Sequence, residues 1–334
     1  MITPTRLSYG VLIATIALAG LLHLGVPLLV LLFSYFALRQ LYFLTKRKWL
    51  ALILFGVVVA GITAAAVYFT RTAILALPDV ADTSIPSASA WAQKRQIELP
   101  FTDFESLRQA VVDTLGQEAQ YLRNVANFAK SAAAAIVFSI LGIVAAGSLF
   151  YKTGLDPYRG THRLKNNLYS ICCDKVSTRF RDFYRSFATV MGAQITISLI
   201  NTALTGIFLV AVRLPHAPLL IAVTFLCGLV PIVGNLASNT VIVFVALTVS
   251  LKLAIVALVF LILIHKLEYL LNSKIIGDRI RNPVWLTLIA LILGERLMGI
   301  PGLILAPVVL NYLRVEMLTV EVPAPSETVE ALNR

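Results

Sequence analysis

The sequence predicts an all-α, polytopic membrane protein: about six full spans plus two broken helical hairpins in an inverted-repeat-like arrangement. Three observations carry that reading. The composition is 58% hydrophobic and 13% charged, with a mean hydropathy of +0.85, which is too apolar for a soluble protein of 334 residues. Apolar runs long enough for a bilayer, about 20 residues, recur along the chain. Two of the longest, 218–250 and 283–313, are interrupted in mid-run by proline and glycine.

Residues 1–70 form a three-span segment. Leu7 to Leu44 has room for two spans, folding back near His23, Gly25 and Pro27. The apolar character that starts at Val11 runs past Leu32, beyond the apolar core of about 7–15 residues in a secretory leader, so a cleaved signal peptide is not expected. Lys46, Arg47 and Lys48 precede a third span, Leu50 to Phe69, and the positive-inside rule places that basic cluster and the N-terminus in the cytoplasm.

Residues 71–130 then lie on the other side as a loop and an amphipathic helix. Their charges nearly cancel. Pro78, Ser84, Pro86, Ser87 and Ser89 predict a loop, and Thr102 with Glu105 predicts a capping box that opens the helix. The fourth span occupies 131–152. Residues 153–186 are strongly basic, with Leu168, Cys172, Val176, Phe180, Phe183 and Phe187 recurring every three or four residues. That pattern predicts a cytoplasmic amphipathic helix lying on anionic lipid.

Residues 187–316 read as a transport core of two span-plus-hairpin units, followed by a cytoplasmic tail at 317–334. The spans are Phe187 to Val212 and Leu251 to Leu271. The first hairpin turns at Gly228, Pro231 and Gly234, the second at Gly294, Gly299, Pro301 and Gly302. Proline removes a backbone donor and clashes with the preceding turn, while glycine permits reversal. Hydrocarbon offers the freed backbone groups no partners, so such breaks need protein or a wet cavity around them. If each hairpin returns to the side it entered from, the two units have opposite orientations, as in many secondary transporters. In the rival topology each arm crosses fully and the tips lie at a membrane surface.

Composition also excludes. The formal charge of +11, from 28 Lys and Arg against 17 Asp and Glu, follows from basic cytoplasmic loops, and no nucleic-acid partner is expected because no aromatic-basic reading pattern accompanies it. Three cysteines without zinc spacing predict neither a disulfide framework nor a metal site, and no cofactor is expected. The chain lacks a His-Glu-x-x-His motif, a Gly-x-Gly-Asp motif and a nucleophile elbow, so no enzyme is expected.

Polar side chains at membrane depth are the candidate functional groups, because each is costly there unless paired or wet. Gln194, Ser198, Asn201 and Thr205 form one stripe at helical spacing. They either line a solute path or bond helix to helix, at about 0.6–2 kcal/mol per contact. Asn235, Ser238, Asn239 and Thr240 follow the first hairpin turn, where amides and hydroxyls beside unwound backbone can bind a polar solute or a small cation, or cap the second arm. His265 and Glu268, with Asn272 beyond, stand where a proton could pass between imidazole and carboxylate, or where an ion pair could anchor the helix. Glu295 and Arg296 flank the second tip.

The run Gly228-Leu229-Val230-Pro231-Ile232-Val233-Gly234, then Glu268 to Leu271 with Lys274 to Gly277, then Gly299-Ile300-Pro301-Gly302-Leu303 to Pro307, resembles the autoinducer-2 exporter family of bacterial permeases, continuously from about 187 to 315. The sequence departs from that pattern at Asn235, where a second proline is common, and at Glu295 and Arg296, where small neutral residues are usual. The resemblance implies a multi-pass protein of the bacterial inner membrane with both termini cytoplasmic, assembled as a homo-oligomer with five copies as the expected number. It further implies a secondary transporter that exports a small polar solute or signalling molecule, coupled to protons or sodium, with the two hairpins gating a midplane site. A sodium/proton antiporter, a passive channel and a membrane scaffold are the alternatives.

Overall fold

The computed structural model describes residues 4–93, 118–152, 167–231, 233–276 and 283–319. Among them are ten helices and no strand: α1 (Pro4–Leu21), α2 (Gly25–Thr45), α3 (Lys48–Gln93), α4 (Glu118–Tyr151), α5 (Leu168–Ala211), α6 (Ala217–Gly228), α7 (Val233–Val249), α8 (Leu251–Ile276), α9 (Val284–Met298) and α10 (Ile300–Thr319). The protein is an all-α polytopic membrane protein. Segments Gly25–Thr45, Lys48–Thr72, Lys130–Tyr151, Leu168–Ala211 and Ile300–Thr319 are long and apolar enough to cross a bilayer.

Sharp reversals join several helices. His23, Lys46, Arg213 and His216 sit at φ values of 51–56°, the left-handed region that few side chains adopt. His23 and His216 therefore serve the backbone.

Two expectations need correction. Residues 78–89 are not a loop, because α3 continues through Pro78 and Pro86 to Gln93. Helix nucleation is the costly step, so an alanine-rich continuation of a helix already formed can propagate past a residue that lacks a donor. The capping box at Thr102 and Glu105 lies outside the described residues. The second correction concerns the basic amphipathic segment. It does not lie on lipid as a separate helix: from Leu168 it is continuous with the fifth span as one 44-residue rod, α5. Asn167 caps the rod, its Oδ1 accepting from the Ser170 N–H at 2.8 Å. Of the predicted apolar stripe, Phe183 and Phe187 are covered by protein, while Leu168 and Phe180 are exposed.

That covering is the first of three packed cores. Phe183, Phe187, Val190 and Met191 of α5 meet Leu12 of α1, Leu29 and Leu32 of α2, and Ile304, Leu305, Val308 and Tyr312 of α10. Aromatic rings lock edge to face here, Phe33 with Phe187 at 5.1 Å and Phe183 with Tyr312 at 5.7 Å. The far end of α5 belongs to a second core, in which Leu209 and Leu214 pack with Leu220 of α6, Ile242 and Val245 of α7, and Ala257 and Leu261 of α8. A third core joins Leu38 of α2 with Phe55 of α3 and Phe150 of α4. Outside it, Ile53, Val57, Ile62 and Val67 of α3 and Ile136, Ile140 and Val144 of α4 are exposed, as a lipid-bathed surface requires.

The hairpins are α6–α7 and α9–α10. At 1.5 Å per residue, the 12 residues of α6 rise ~18 Å and the 15 of α9 rise ~22 Å, both short of a hydrocarbon core of about 30 Å. Val230 of the first and Met298 of the second pack against the same core.

Candidate functional site

The first hairpin tip is built around glycine because its two arms touch backbone to backbone. A β-carbon on Gly234 would collide with the Cys227 carbonyl, and one on Gly228 with Ser198 Oγ. Pro231 sits in the non-helical link, where the Val233 N–H reaches the Pro231 carbonyl at 2.7 Å and the Val230 N–H reaches that of Cys227 at 2.9 Å. The unwound carbonyls left over are taken up by α5. Gln194 Nε2 donates to the Gly228 carbonyl at 2.7 Å, and Ser198 Oγ to the Phe225 carbonyl at 2.9 Å.

One turn farther along α5, Asn201 Nδ2 donates to Asn235 Oδ1 at 3.4 Å. Asn235 Nδ2 in turn donates to Glu268 Oε1 at 2.5 Å. Asn201, Asn235 and Glu268 are all buried, so three helices, α5, α7 and α8, contribute one side chain each to a buried polar chain. Among the described residues Glu268 Oε2 has no hydrogen-bond partner, and it lies 3.7 Å from Nδ1 of His265, an exposed imidazole one turn earlier on α8. Asn201 Oδ1 and Thr205 Oγ1 are likewise buried with no hydrogen-bond partner among the described residues. Beside this chain runs a cleft lined by Ile197, Asn201, Leu204, Ile264 and Glu268, too narrow for a water-sized sphere. A buried carboxylate held by an amide and 3.7 Å from an imidazole is a candidate functional group, because charge at this depth is costly unless paired or wet.

The predicted residues thus divide. Gln194, Ser198, Asn201, Asn235 and Glu268 are drawn into one connected region, with Thr205 buried one turn above. Ser238 bonds back to the Asn235 carbonyl at 3.2 Å and braces the start of α7. Thr240 is exposed and bonds within its own helix, to the Leu236 carbonyl at 2.8 Å, while Asn239 is half-buried outside the chain. The side chain of Asn272 lies outside the described residues.

The second tip is assembled in the same way. Gly294 and Gly302 face each other so closely that a β-carbon on either would strike the other's carbonyl. Gly299, at φ 64°, ends α9 with its N–H on the Glu295 carbonyl at 2.7 Å. Pro301 abuts the α1–α2 reversal, where a β-carbon on Gly25 would come within 2.9 Å of Pro301 Cβ. Glu295 and Arg296 are exposed.

One cluster escaped sequence reasoning. Arg179 of α5 pairs with Glu316 of α10, whose Oε1 also accepts from the Tyr9 hydroxyl of α1 at 2.7 Å. The Arg179 guanidinium lies over the Tyr9 ring at 4.1 Å. No local spacing foretells it, since the partners are 137 and 307 residues apart.

Residues 7–319 match the family described as AI-2E family transporter. The chain belongs to this family. Its similarity to a curated protein, "Putative transport protein YdbI" of Bacillus subtilis (strain 168), is 27% identity over 187 residues, or 55% of this chain and 51% of that one. The chain therefore matches about half the length of that curated relative. In this AI-2E family member the broken-helix region that carries the resemblance is also where the buried polar chain lies.

Proposed function

We propose that this AI-2E family member is a secondary transporter, an exporter or permease of a small polar solute driven by a proton or sodium gradient. Its two hairpins each return to the side they entered from and meet around a site formed by Asn201, Asn235 and Glu268. One observation carries the reading: a buried carboxylate is bonded on one oxygen to the Asn235 amide at 2.5 Å, while its other oxygen, with no hydrogen bond among the described residues, lies beside His265. The short arms α6 and α9, and the tips sharing one core, support re-entrant gates. A homo-oligomer of five copies in the bacterial inner membrane, termini inside, completes the proposal.

A second reading rests on the same groups. Glu268 Oε2, Asn201 Oδ1 and Thr205 Oγ1 are buried oxygens with no hydrogen-bond partner among the described residues, and oxygen ligands suit a small hard cation, so sodium/proton exchange without an organic solute is the alternative. The test reconstitutes the protein in vesicles containing a pH-reporting dye and applies a sodium pulse at fixed membrane potential. Coupled exchange gives a sodium-dependent internal pH change that saturates and is absent in Glu268→Gln. Equal traces from both proteins would remove Glu268 from the mechanism. A conductance insensitive to either gradient would identify a channel.

A further inference from the structure

The same bundle holds a second charged constellation, far along α5 from Asn201, that the proposed site does not use. Arg179 and Glu316 form an ion pair whose side chains are only 16% and 14% exposed. Glu316 is held again by the Tyr9 hydroxyl at 2.7 Å, and Tyr9 lends its ring to Arg179 at 4.1 Å. The three residues come from three helices. α10 is the return arm of the second hairpin, α5 is the rod against which it packs, and α1 packs along α5 and reaches α10 through Tyr9.

Elsewhere the α5–α10 interface packs Phe183 on Tyr312, with Val308 and Ile304 beside Phe187 and Met191. A half-buried ion pair has two discrete states, made or broken, and a broken one leaves charges poorly solvated. The hairpin also transmits what happens at its base. Gly294 and Gly302 clamp α9 to α10 backbone to backbone, so the two arms move together. From Glu316 to Pro301 the arm is about 22 Å long at helical rise. Its tip presses on Gly25 and shares a core with Val230 of the first hairpin. The α1 helix touches the hairpin at both ends, at Glu316 through Tyr9 and near the tip through Gly20, which packs on Leu297, while Gly25 at the start of α2 meets Pro301.

We propose that Tyr9, Arg179 and Glu316 are a latch: it holds the second hairpin closed on α5, and it must open for the hairpin tips to part. The latch lies on the side that the basic residues assign to the cytoplasm, so its opening exposes the tips to that compartment. This inference rests on the reading that the second hairpin moves during transport. It adds where the movement is restrained, and it makes α1 part of the restraint.

The test uses the 334-residue chain in inside-out vesicles, with Cys172, Cys173 and Cys227 replaced by alanine and Val230→Cys as reporter, since Val230 packs on the core that Met298 of the second hairpin also covers. A membrane-impermeant maleimide is the probe. Glu316→Gln keeps the shape and removes the charge, and it is expected to raise the labelling rate about tenfold, a shift of one decade in the open population. Arg179→Glu combined with Glu316→Arg restores a pair of opposite charges and is expected to return the rate to within about twofold of the parent. Tyr9→Phe, which removes a single hydroxyl and stays informative should Glu316→Gln fold poorly, is expected to raise it by about two- to threefold. Unchanged labelling in Glu316→Gln or in Tyr9→Phe overturns the latch. So does a charge exchange that labels as fast as Glu316→Gln, which would mark general loosening. Because the reporter needs no solute or ion gradient, failure here leaves the flux assay of the proposed function untouched.

Discussion

Asn235 Nδ2 and Glu268 Oε1 lie 2.5 Å apart, joining the first residues of a hairpin's return arm to the middle of the next long helix. The amide is the carboxylate's main partner, and the same amide accepts from Asn201. A change at any of the three alters what the other two can bind.

Asn235→Leu removes both bonds and leaves Glu268 buried without a donor. Gradient-driven flux in vesicles is expected to fall at least tenfold, since an unpaired buried charge costs several kcal/mol. Normal insertion and a monodisperse elution profile would separate this from misfolding.

Glu268→Gln is nearly isosteric and keeps an acceptor for Asn235. It is expected to retain the fold but to abolish the dependence of flux on external pH. Measuring rates between pH 6 and 8 (about two decades of proton activity, spanning the usual histidine range) gives a flat profile if Glu268 is the only coupling group. A profile that still slopes assigns part of the coupling to His265.

Thr205→Val distinguishes a solute path from helix glue. The hydroxyl is buried and has no hydrogen-bond partner among the described residues, so its loss is expected to leave thermal stability in detergent unchanged or raised by about 1 kcal/mol. Flux is expected to fall all the same. A protein as active as the parent would place Thr205 outside the path.

Gly234→Ala and Gly302→Ala are each expected to destabilise by about 1–3 kcal/mol, as overpacking does, because each new methyl meets a carbonyl. Gly10→Ala and Gly147→Ala, where nothing lies within 4 Å, serve as controls and are expected to be neutral in the same melting experiment.

The hairpin turns were legible because their causes are local: Pro231 and Gly234 announce a break whatever surrounds them. The stripe from Gln194 to Thr205 was legible because a helix keeps its own spacing. Where α5 begins was misread, since the change near Phe187 from basic to apolar residues looked like a boundary between elements. It marks a change of surroundings along one helix. Pro78 and Pro86 misled in the opposite way, as breakers whose penalty the continuing helix α3 absorbs. The bonds from Asn235 to Glu268 and from Arg179 to Glu316 depend on how helices lean together, and no spacing rule contains that.

The unbroken course of α5 ties its ends in phase. Phe187 in the first core and Leu209 in the second fix the azimuth of everything between them, including Gln194, Ser198, Asn201 and Thr205. Inserting or deleting one residue between 188 and 193 would turn all four polar groups by about 100° relative to the first core, withdrawing them together from Gly228, Phe225 and Asn235. The chain should therefore accept many substitutions along this stretch of α5 while refusing any change in its length.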